Sequence, residues 1–227
     1  MRRSTLPRVE ISGVYAIVDV GALDARAIDV VGHAKSLLGA PLGALQLRAK
    51  DAAAGRVVEL AAELAKMARA ASVPFFVNDR VDIALSVGAG VHLGQDDLSP
   101  AHARALSARA CSELAIGFST HNAAQALSAV EMPIDYLAIG PVFETGSKLR
   151  PDPVLGADRA CEIASAVREK RPGLPIVAIG GIDAARARAL GAAFDAVAVI
   201  GALLPGDGEA ADARAKAIAR ALREVRP

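Results

Sequence analysis

Short apolar runs alternate with longer amphipathic segments along most of the chain. Because nearly every position in each short run is apolar and often β-branched, the runs are typical of strands that are covered on both faces of a parallel sheet. They predict eight strands, at residues 14–19, 44–48, 74–78, 90–93, 114–119, 136–140, 175–180 and 196–200.

The segments between these runs are rich in Ala and Leu at helical spacing. They predict helices at residues 24–38, 55–71, 80–87, 100–110, 122–130, 159–171, 184–190 and 209–223. Two helix starts carry a side chain that can accept hydrogen bonds from unpaired backbone N–H groups, namely Ser99 and Asp183. Each predicted strand is therefore followed by a predicted helix.

Eight such units predict a closed (β/α)8 TIM barrel, an α/β fold, because strands joined by right-handed helical crossovers leave few other arrangements. A single domain spanning residues 1–227 is expected, with residues 1–12 as a loose N-terminal extension. An open doubly wound sheet is the alternative. This alternative is less favoured, because the sequence has no G-x-G-x-x-G motif at the start of a first helix, which is the usual mark of the dinucleotide-binding form of that fold.

Composition narrows the class of protein further. Hydrophobic residues make up 53% of the 227 residues and charged residues 22%, which excludes disorder for most of the chain. The net charge of +1 gives no global attraction to nucleic acid or to an anionic membrane, so neither partner is expected. The start of the chain lacks an apolar signal region, and a cytoplasmic protein is expected. A homodimer is compatible with the sequence.

Basic and acidic side chains gather where the predicted strands end, and in a barrel these ends surround one site. Arg48 and Lys50 alternate along an extended segment, and Lys148 follows the sixth strand, so the three can hold a multiply charged anion. Asp79 and Asp97 would repel that anion unless a cation bridged them. Two carboxylates with phosphate oxygens suit Mg²⁺, although the carboxylates can also be helix caps or partners of Arg80.

Glycines mark a second anion site. Gly180-Gly181 follows the seventh predicted strand and Ile200-Gly201 ends the eighth. Barrels commonly bind a phosphate at this place through backbone N–H groups, and glycine permits close approach. Gly-Gly is also an ordinary turn, so its position after a late strand is the informative part.

Six motifs taken together resemble the thiamine phosphate synthase family. They are Gln46-Leu47-Arg48-x-Lys50, Asn78-Asp79-Arg80-Val81-Asp82, Gly90-Val91-His92-Leu93-Gly94-Gln95-x-Asp97, Ser119-x-His121, Gly140-Pro141-Val142-Phe143-x-Thr145-x-x-Lys148 and Ile179-Gly180-Gly181-Ile182. The resemblance implies a (β/α)8 barrel that joins hydroxymethylpyrimidine diphosphate to a thiazole phosphate. The reaction would release pyrophosphate and depend on Mg²⁺.

The resemblance also implies roles for individual residues. Asp79 and Asp97 would ligate Mg²⁺, and Arg48, Lys50, Lys148 and Ser119 would form the catalytic set. Substrates would be contacted by Gln46, Leu47, Arg48, Ala49, Lys50, Asn78, His92, Ser119, Thr145, Gly146, Ser147, Lys148, Gly181, Ile200 and Gly201. The chain departs from the family pattern at Ala49, Ser147 and Gly201.

Two other functions remain open at this point. A thiazole tautomerase of the same barrel family would use a histidine near the fifth strand, and His121 is suitably placed, although it can also simply pack at the start of the next helix. A non-catalytic barrel that binds a phosphate ligand would need the glycines but no carboxylate pair. Of the remaining residues, His33 and His102 are expected at the surface, and Tyr15 and Tyr136 are expected to pack in the core.

Overall fold

A computed structural model describes residues 10–146, 152–206 and 209–225. Its eight strands pair in sequence order, and β8 pairs with β1, so the parallel sheet closes into a barrel. The strands are β1 (Gly13–Asp19), β2 (Leu42–Arg48), β3 (Phe75–Asn78), β4 (Gly90–Leu93), β5 (Ile116–Thr120), β6 (Tyr136–Ile139), β7 (Ile176–Ile179) and β8 (Ala196–Val199). The predicted (β/α)8 barrel is confirmed, and the open sheet is excluded.

Helices surround the barrel. In the described part of the chain they are α1 (Val20–Asp24), α2 (Val30–Leu37), α3 (Ala54–Ala70), α4 (Val81–Val87), α5 (Pro100–Arg109), α6 (Ala123–Ala129), α7 (Ala157–Lys170), α8 (Ala184–Ala189) and α9 (Ala211–Glu224), with a short 3-10 helix at Gly201–Leu203. Ser99 and Asp183 cap α5 and α8 as predicted. Among the described residues, no helix is long and apolar enough to cross a membrane.

The first predicted helix, at residues 24–38, is wrong in its bounds. Apart from Asp24, where α1 already ends, only residues 30–37 of it are helical, as α2. The Asp29 carboxylate accepts hydrogen bonds from the N–H groups of Val31 and Gly32 and starts a new helix there. Ala27, between the two helices, has a positive φ of 53°. The Ala-rich run kept its helical spacing across this break, so periodicity alone did not reveal it.

Successive side chains of each strand point alternately outwards and inwards, which divides the apolar residues into two layers. One side of each strand packs against the helices. The other side fills the barrel interior with a smaller cluster: Ile11, Tyr15, Ile17, Ala44, Phe76, Tyr136, Ala138, Val177, Ala196 and Ala198. Ile11 belongs to the segment that was expected to be loose, and residues 1–9 of that segment lie outside the described residues.

Three aromatic rings occupy much of the barrel interior. The ring centroids of Tyr15, Phe76 and Tyr136 lie 5.2 to 5.8 Å apart. Glycines make room for two of them, since a Cβ on Gly90 would lie 2.5 Å from Phe76 and a Cβ on Gly117 would lie 2.0 Å from Tyr136. These aromatics therefore pack in the core as expected, but as one cluster.

The two histidines that were expected at the surface, His33 and His102, differ in their exposure. His102 is exposed on α5, as expected. His33 is buried on α2, so its expected surface position is wrong. Burial lowers the pKa of His33 because it disfavours the charged ring.

An arginine side chain forms hydrogen bonds between neighbouring loops at the amino-terminal end of the barrel. The Arg171 guanidinium donates hydrogen bonds to the carbonyl oxygens of Val130, Met132 and Ile134 at 3.0, 2.9 and 2.8 Å. These carbonyls lie on the connection between α6 and β6. One cationic side chain thus satisfies three backbone acceptors between neighbouring units.

We expect Arg171→Ala to lower the free energy of unfolding by about 2 kcal/mol, because hydrogen bonds from a charged donor are lost and the acceptors are left to solvent. Urea denaturation measures the change. Arg109→Ala is the matched control, since Arg109 is exposed on α5 and makes no comparable set of backbone contacts among the described residues. Equal stability of the two variants would contradict the role assigned to Arg171.

Candidate active site

The carboxyl ends of the strands form a polar mouth on top of the aromatic cluster. In β2, Gln46 lies on the interior side of the barrel and is buried, and Arg48 follows it two positions later on the same side. Leu47 and Ala49 instead pack in the outer layer against the helices. Their side chains therefore do not line the mouth, and any substrate contact from these two positions is limited to their backbone.

Arg48 is paired with a carboxylate that sequence analysis missed. Its Nη1 donates to Oδ2 of Asp19, which is buried at the end of β1. The other carboxylate oxygen of Asp19 accepts from the N–H of Ala22 at 2.9 Å and caps α1. Asp19 thus positions Arg48, and a guanidinium with five N–H groups has further donors to offer an anion. The sequence feature that could have identified Asp19 is an acidic residue at the end of an otherwise apolar strand.

Asp79 and Asp97 come together beside Lys50. Lys50 Nζ lies 3.4 Å from Oδ2 of Asp79, and Asp97 Oδ2 accepts from the N–H of Gly94 at 2.7 Å. Burial, reinforced by the neighbouring Asp97 carboxylate and opposed by Lys50, raises the pKa of Asp79 to about 6. Two carboxylates held this close favour a bound cation between them.

The alternative roles of these two carboxylates do not match the structure. Arg80 pairs with Asp82 at 2.6 Å, and α5 is capped by Ser99. Asp79 itself has a positive φ of 64°, an uncommon conformation for a residue other than glycine, and its N–H donates to the carbonyl oxygen of His92. Within the described ranges, no group of three His, Cys, Asp or Glu residues could hold a metal.

Neutral polar side chains line the mouth from β2 to β5. Gln46 Nε2 donates to Oδ1 of Asn78 at 2.9 Å, which joins β2 to β3. His92 Nε2 lies 2.8 Å from Ser119 Oγ, which joins β4 to β5. Gln95, which sequence analysis did not single out as a site residue, donates to the Ser119 carbonyl oxygen. The predicted residues of these four strands therefore form two hydrogen-bonded pairs, and Asn78 and His92 are register partners where β3 meets β4.

The loops after β6 and β7 pack against each other on the other side of the mouth. Val142 and Phe143 donate backbone hydrogen bonds to the carbonyl oxygens of Ile179 and Gly180 at 2.9 and 3.1 Å. Arg186 from α8 donates to the carbonyl oxygen of Gly181 and lies 5.2 Å from the centre of the Phe143 ring. Arg186 lies outside all six sequence motifs and was therefore not among the predicted site residues.

Four predicted substrate residues belong to the loop after β6. Thr145 is half-buried and Gly146 is exposed. Ser147 and Lys148 lie outside the described residues, so their predicted roles stay predictions.

Gly181 is required by loop packing. Its φ is 63°, and a Cβ there would lie 2.2 Å from the carbonyl oxygen of Glu144. A Cβ on Gly201 would meet nothing within 4 Å. Gly201 begins the 3-10 helix that follows β8, directly after Ile200. Close packing of the two loops is therefore a structural reason for glycine at position 181. It is separate from the predicted close approach of a phosphate.

His121 lies between the ends of β5 and β6. Its Nδ1 is 2.6 Å from the carbonyl oxygen of Gly140, and because a carbonyl only accepts, this nitrogen carries hydrogen. Its Nε2 is 3.6 Å from Oδ2 of Asp152, on the segment that leads to α7. The imidazole therefore holds neighbouring strand ends and loops together.

The sequence and the fold of this chain are similar to those of known proteins. A thiamine-phosphate synthase from Koribacter versatilis is 43% identical over 203 residues, which cover 88% of this chain and 90% of that protein. One from Anaeromyxobacter dehalogenans is 39% identical over 225 residues, covering 96% and 93%. The solved structure of a thiamine phosphate pyrophosphorylase from Pyrococcus furiosus superposes with a TM-score of 0.80 at 29% identity, covering 96% of this chain and 98% of that one.

The fold and the mouth define a (β/α)8-barrel enzyme with polar side chains concentrated at the carboxyl ends of its strands. The model of the thiamine monophosphate synthase family matches residues 14–203. The chain belongs to that family.

We expect Gly181→Ala to lower the free energy of unfolding by about 1–3 kcal/mol, because its Cβ meets backbone and its positive φ is strained for alanine. Gly201→Ala is the matched control and should change it by less than about 0.5 kcal/mol, since its Cβ enters open space. Urea denaturation of both variants measures the difference. Similar losses in the two variants would contradict the loop packing described above.

Proposed function

We propose that this enzyme couples 4-amino-2-methyl-5-hydroxymethylpyrimidine diphosphate with a thiazole phosphate, giving thiamine phosphate and pyrophosphate in an Mg²⁺-dependent, dissociative reaction. Thiamine phosphate synthesis is the activity for which the relatives are named. The observation that carries the diphosphate chemistry is the cluster of Lys50, Asp79 and Asp97 at the ends of β2 to β4. Such a cluster suits a reaction that expels a highly charged leaving group.

The donor set fits a magnesium ion. Asp79 and Asp97 are hard oxygen ligands, and the raised pKa of Asp79 reflects two carboxylates in a half-buried place. These two residues would hold the ion. When bound, Mg²⁺ neutralises charge that develops on the diphosphate oxygens. Two protein carboxylates leave coordination positions for water and for those oxygens, as is usual for Mg²⁺.

Basic side chains at the end of β2 and after β6 would bind and stabilise the diphosphate. In the proposed reaction the bond from the pyrimidine methylene carbon to the diphosphate oxygen breaks first, and its electron pair leaves with pyrophosphate. Arg48, Lys50 and Lys148 stabilise that departing charge by electrostatic attraction. The thiazole nitrogen then donates its lone pair to the methylene cation and forms the new carbon–nitrogen bond. No protein nucleophile is needed.

The remaining polar groups would position the two substrates. Gln46, Asn78 and His92 face the mouth from neighbouring strands and suit recognition of the pyrimidine and its diphosphate. The thiazole phosphate would bind at the loops after β6, β7 and β8, through Thr145, Ser147, Gly181, Ile200 and Gly201. Backbone N–H groups on late strand loops are a common phosphate site in this fold.

The tautomerase alternative depends on His121. Its Nδ1 is engaged by the carbonyl oxygen of Gly140, and only Nε2, beside Asp152, remains for proton transfer. That reaction also gives no task to the Asp79 and Asp97 pair, because it expels no diphosphate. A non-catalytic phosphate-binding barrel leaves the same pair unexplained. The synthase therefore accounts for more of the described site.

The metal prediction concerns one carboxylate. Asp97→Asn should lower kcat by a factor on the order of 10² or more, because a ligand charge that supports neutralisation of the leaving group is lost. Removing Mg²⁺ with EDTA should abolish pyrophosphate release by the unaltered enzyme. Asp96→Asn is the control, since Asp96 is exposed next to it and should retain full activity. Full activity of Asp97→Asn in the presence of EDTA would disprove the assignment.

The choice between synthase and tautomerase rests on two substitutions. Lys148→Ala should lower kcat for coupling by about 10², or about 3 kcal/mol of barrier, because the leaving group loses a cation. His121→Ala should cost less than roughly tenfold, because it acts only through positioning. Lys66→Ala, on the exposed face of α3, is the control for loss of a surface lysine. Tautomerisation of a thiazole phosphate that requires His121 and ignores Lys148 would establish the alternative.

A further inference from the structure

Four polar side chains form a hydrogen-bonded chain from the interior of the barrel to its mouth. Tyr15 Oη lies 2.8 Å from Tyr136 Oη, Tyr136 Oη lies 2.6 Å from His92 Nδ1, and His92 Nε2 lies 2.8 Å from Ser119 Oγ. Both tyrosines are fully buried in the interior cluster, and His92 stacks on the Tyr136 ring at 5.6 Å between centroids. Only the Ser119 end of the chain reaches the mouth.

The hydrogens of this chain can be arranged in three consistent ways when the imidazole is neutral. The four groups carry one hydrogen each and share three contacts, so one hydrogen is left over. If the donors point inward, from Ser119 towards Tyr15, the hydroxyl hydrogen of Tyr15 is left over. If they point outward, the left-over hydrogen belongs to Ser119. In the third arrangement Tyr136 accepts from both Tyr15 and His92 Nδ1, and its own hydrogen is left over.

The surroundings of the two tyrosines exclude the inward direction and the third arrangement. Among the described residues, the Tyr15 hydroxyl has Tyr136 as its one hydrogen-bond partner, and its neighbours in the interior cluster are apolar. A left-over hydrogen on Tyr15 would be a buried donor without an acceptor, which costs the full desolvation of the group. The same holds for Tyr136, whose hydroxyl has only Tyr15 and His92 as hydrogen-bond partners among the described residues. Burial raises the pKa of both phenols, so each keeps its hydrogen. Ser119, by contrast, is half-buried at the open end.

We infer that Tyr136 is a positioning residue that holds His92 as the tautomer with hydrogen on Nε2, so that Ser119 accepts from His92 and donates its own hydrogen to the pyrimidine diphosphate. The direction runs from Tyr15 to Tyr136, from Tyr136 to Nδ1, and from Nε2–H to Ser119. Each donor in a row polarises the next, which strengthens the last one. The identity of the acceptor, a ring nitrogen or a diphosphate oxygen, rests on the proposed function.

The tautomer is tested first, on the ligand-free enzyme. Protein labelled with ¹⁵N at its four histidines gives long-range ¹H–¹⁵N correlations that distinguish the two tautomers, and the His92 signals are those lost in His92→Gln. We expect hydrogen on Nε2 in the unaltered enzyme and a mixture of tautomers in Tyr136→Phe. Hydrogen on Nδ1 in the unaltered enzyme would overturn the inference. This readout does not depend on any activity.

Kinetics then test whether Tyr136 acts through Ser119. Tyr136→Phe should lower kcat for coupling roughly tenfold. Complete loss of the Ser119 donor would lower kcat by a factor on the order of 10², and this substitution weakens that donor without removing it. The Michaelis constant for the thiazole phosphate should change little. In the double variant Tyr136→Phe with Ser119→Ala, kcat should equal that of Ser119→Ala alone, whereas losses that multiply would overturn the inference.

Tyr15→Phe is the matched substitution for loss of a buried hydroxyl. It removes the same group from the same cluster but leaves the donor to His92 Nδ1 in place, so the tautomer should persist and kcat should fall less than with Tyr136→Phe. Thermal unfolding of both variants separates loss of fold from loss of positioning. A larger kinetic loss in Tyr15→Phe than in an equally stable Tyr136→Phe would contradict the assigned direction. Absence of coupling by the unaltered enzyme would instead disprove the proposed function.

Discussion

The barrel interior has to be filled, and the way this chain fills it determines what the site can be. The rings of Phe76 and Tyr136 occupy space that exists only because Gly90 and Gly117 have no side chain. These rings and Tyr15 form a solid floor beneath the mouth, against which His92 stacks. Close packing of this kind leaves few alternative rotamers, so polar groups that contact the floor are held firmly.

The floor also separates two electrostatic environments. Beneath the mouth, the interior cluster is apolar apart from the hydroxyls of Tyr15 and Tyr136, which bond each other. Above it, every strand end from β1 to β5 contributes a charged or polar side chain. A charge is costly in the first environment and easily paired in the second. This division explains how one barrel can have a closely packed interior and, at one end, side chains that can pair with charged groups.

Much of this organisation was predictable, because alternation and strand ends are local properties of the sequence. Each predicted strand overlaps one observed strand. The alternation of side-chain direction also correctly predicted that Ala49 faces away from Arg48 and Lys50. The break at Ala27 was not predictable from periodicity, because it depends on one carboxylate competing for backbone N–H groups. Asp19 and Tyr136 were not assigned to the site because their roles arise from contacts across the barrel, with Arg48 and His92.

The charges of the mouth explain why the proposed reaction should need a cation. Arg48 and Lys50 face the carboxylates of Asp19, Asp79 and Asp97, so in this described part of the mouth the negative groups outnumber the positive ones. A diphosphate gains little from such a surface, because attraction to each basic group is offset by a nearby carboxylate. A divalent ion at Asp79 and Asp97 would reverse the balance. Binding of the metal and of the diphosphate would then be mutually dependent, with each raising the affinity for the other.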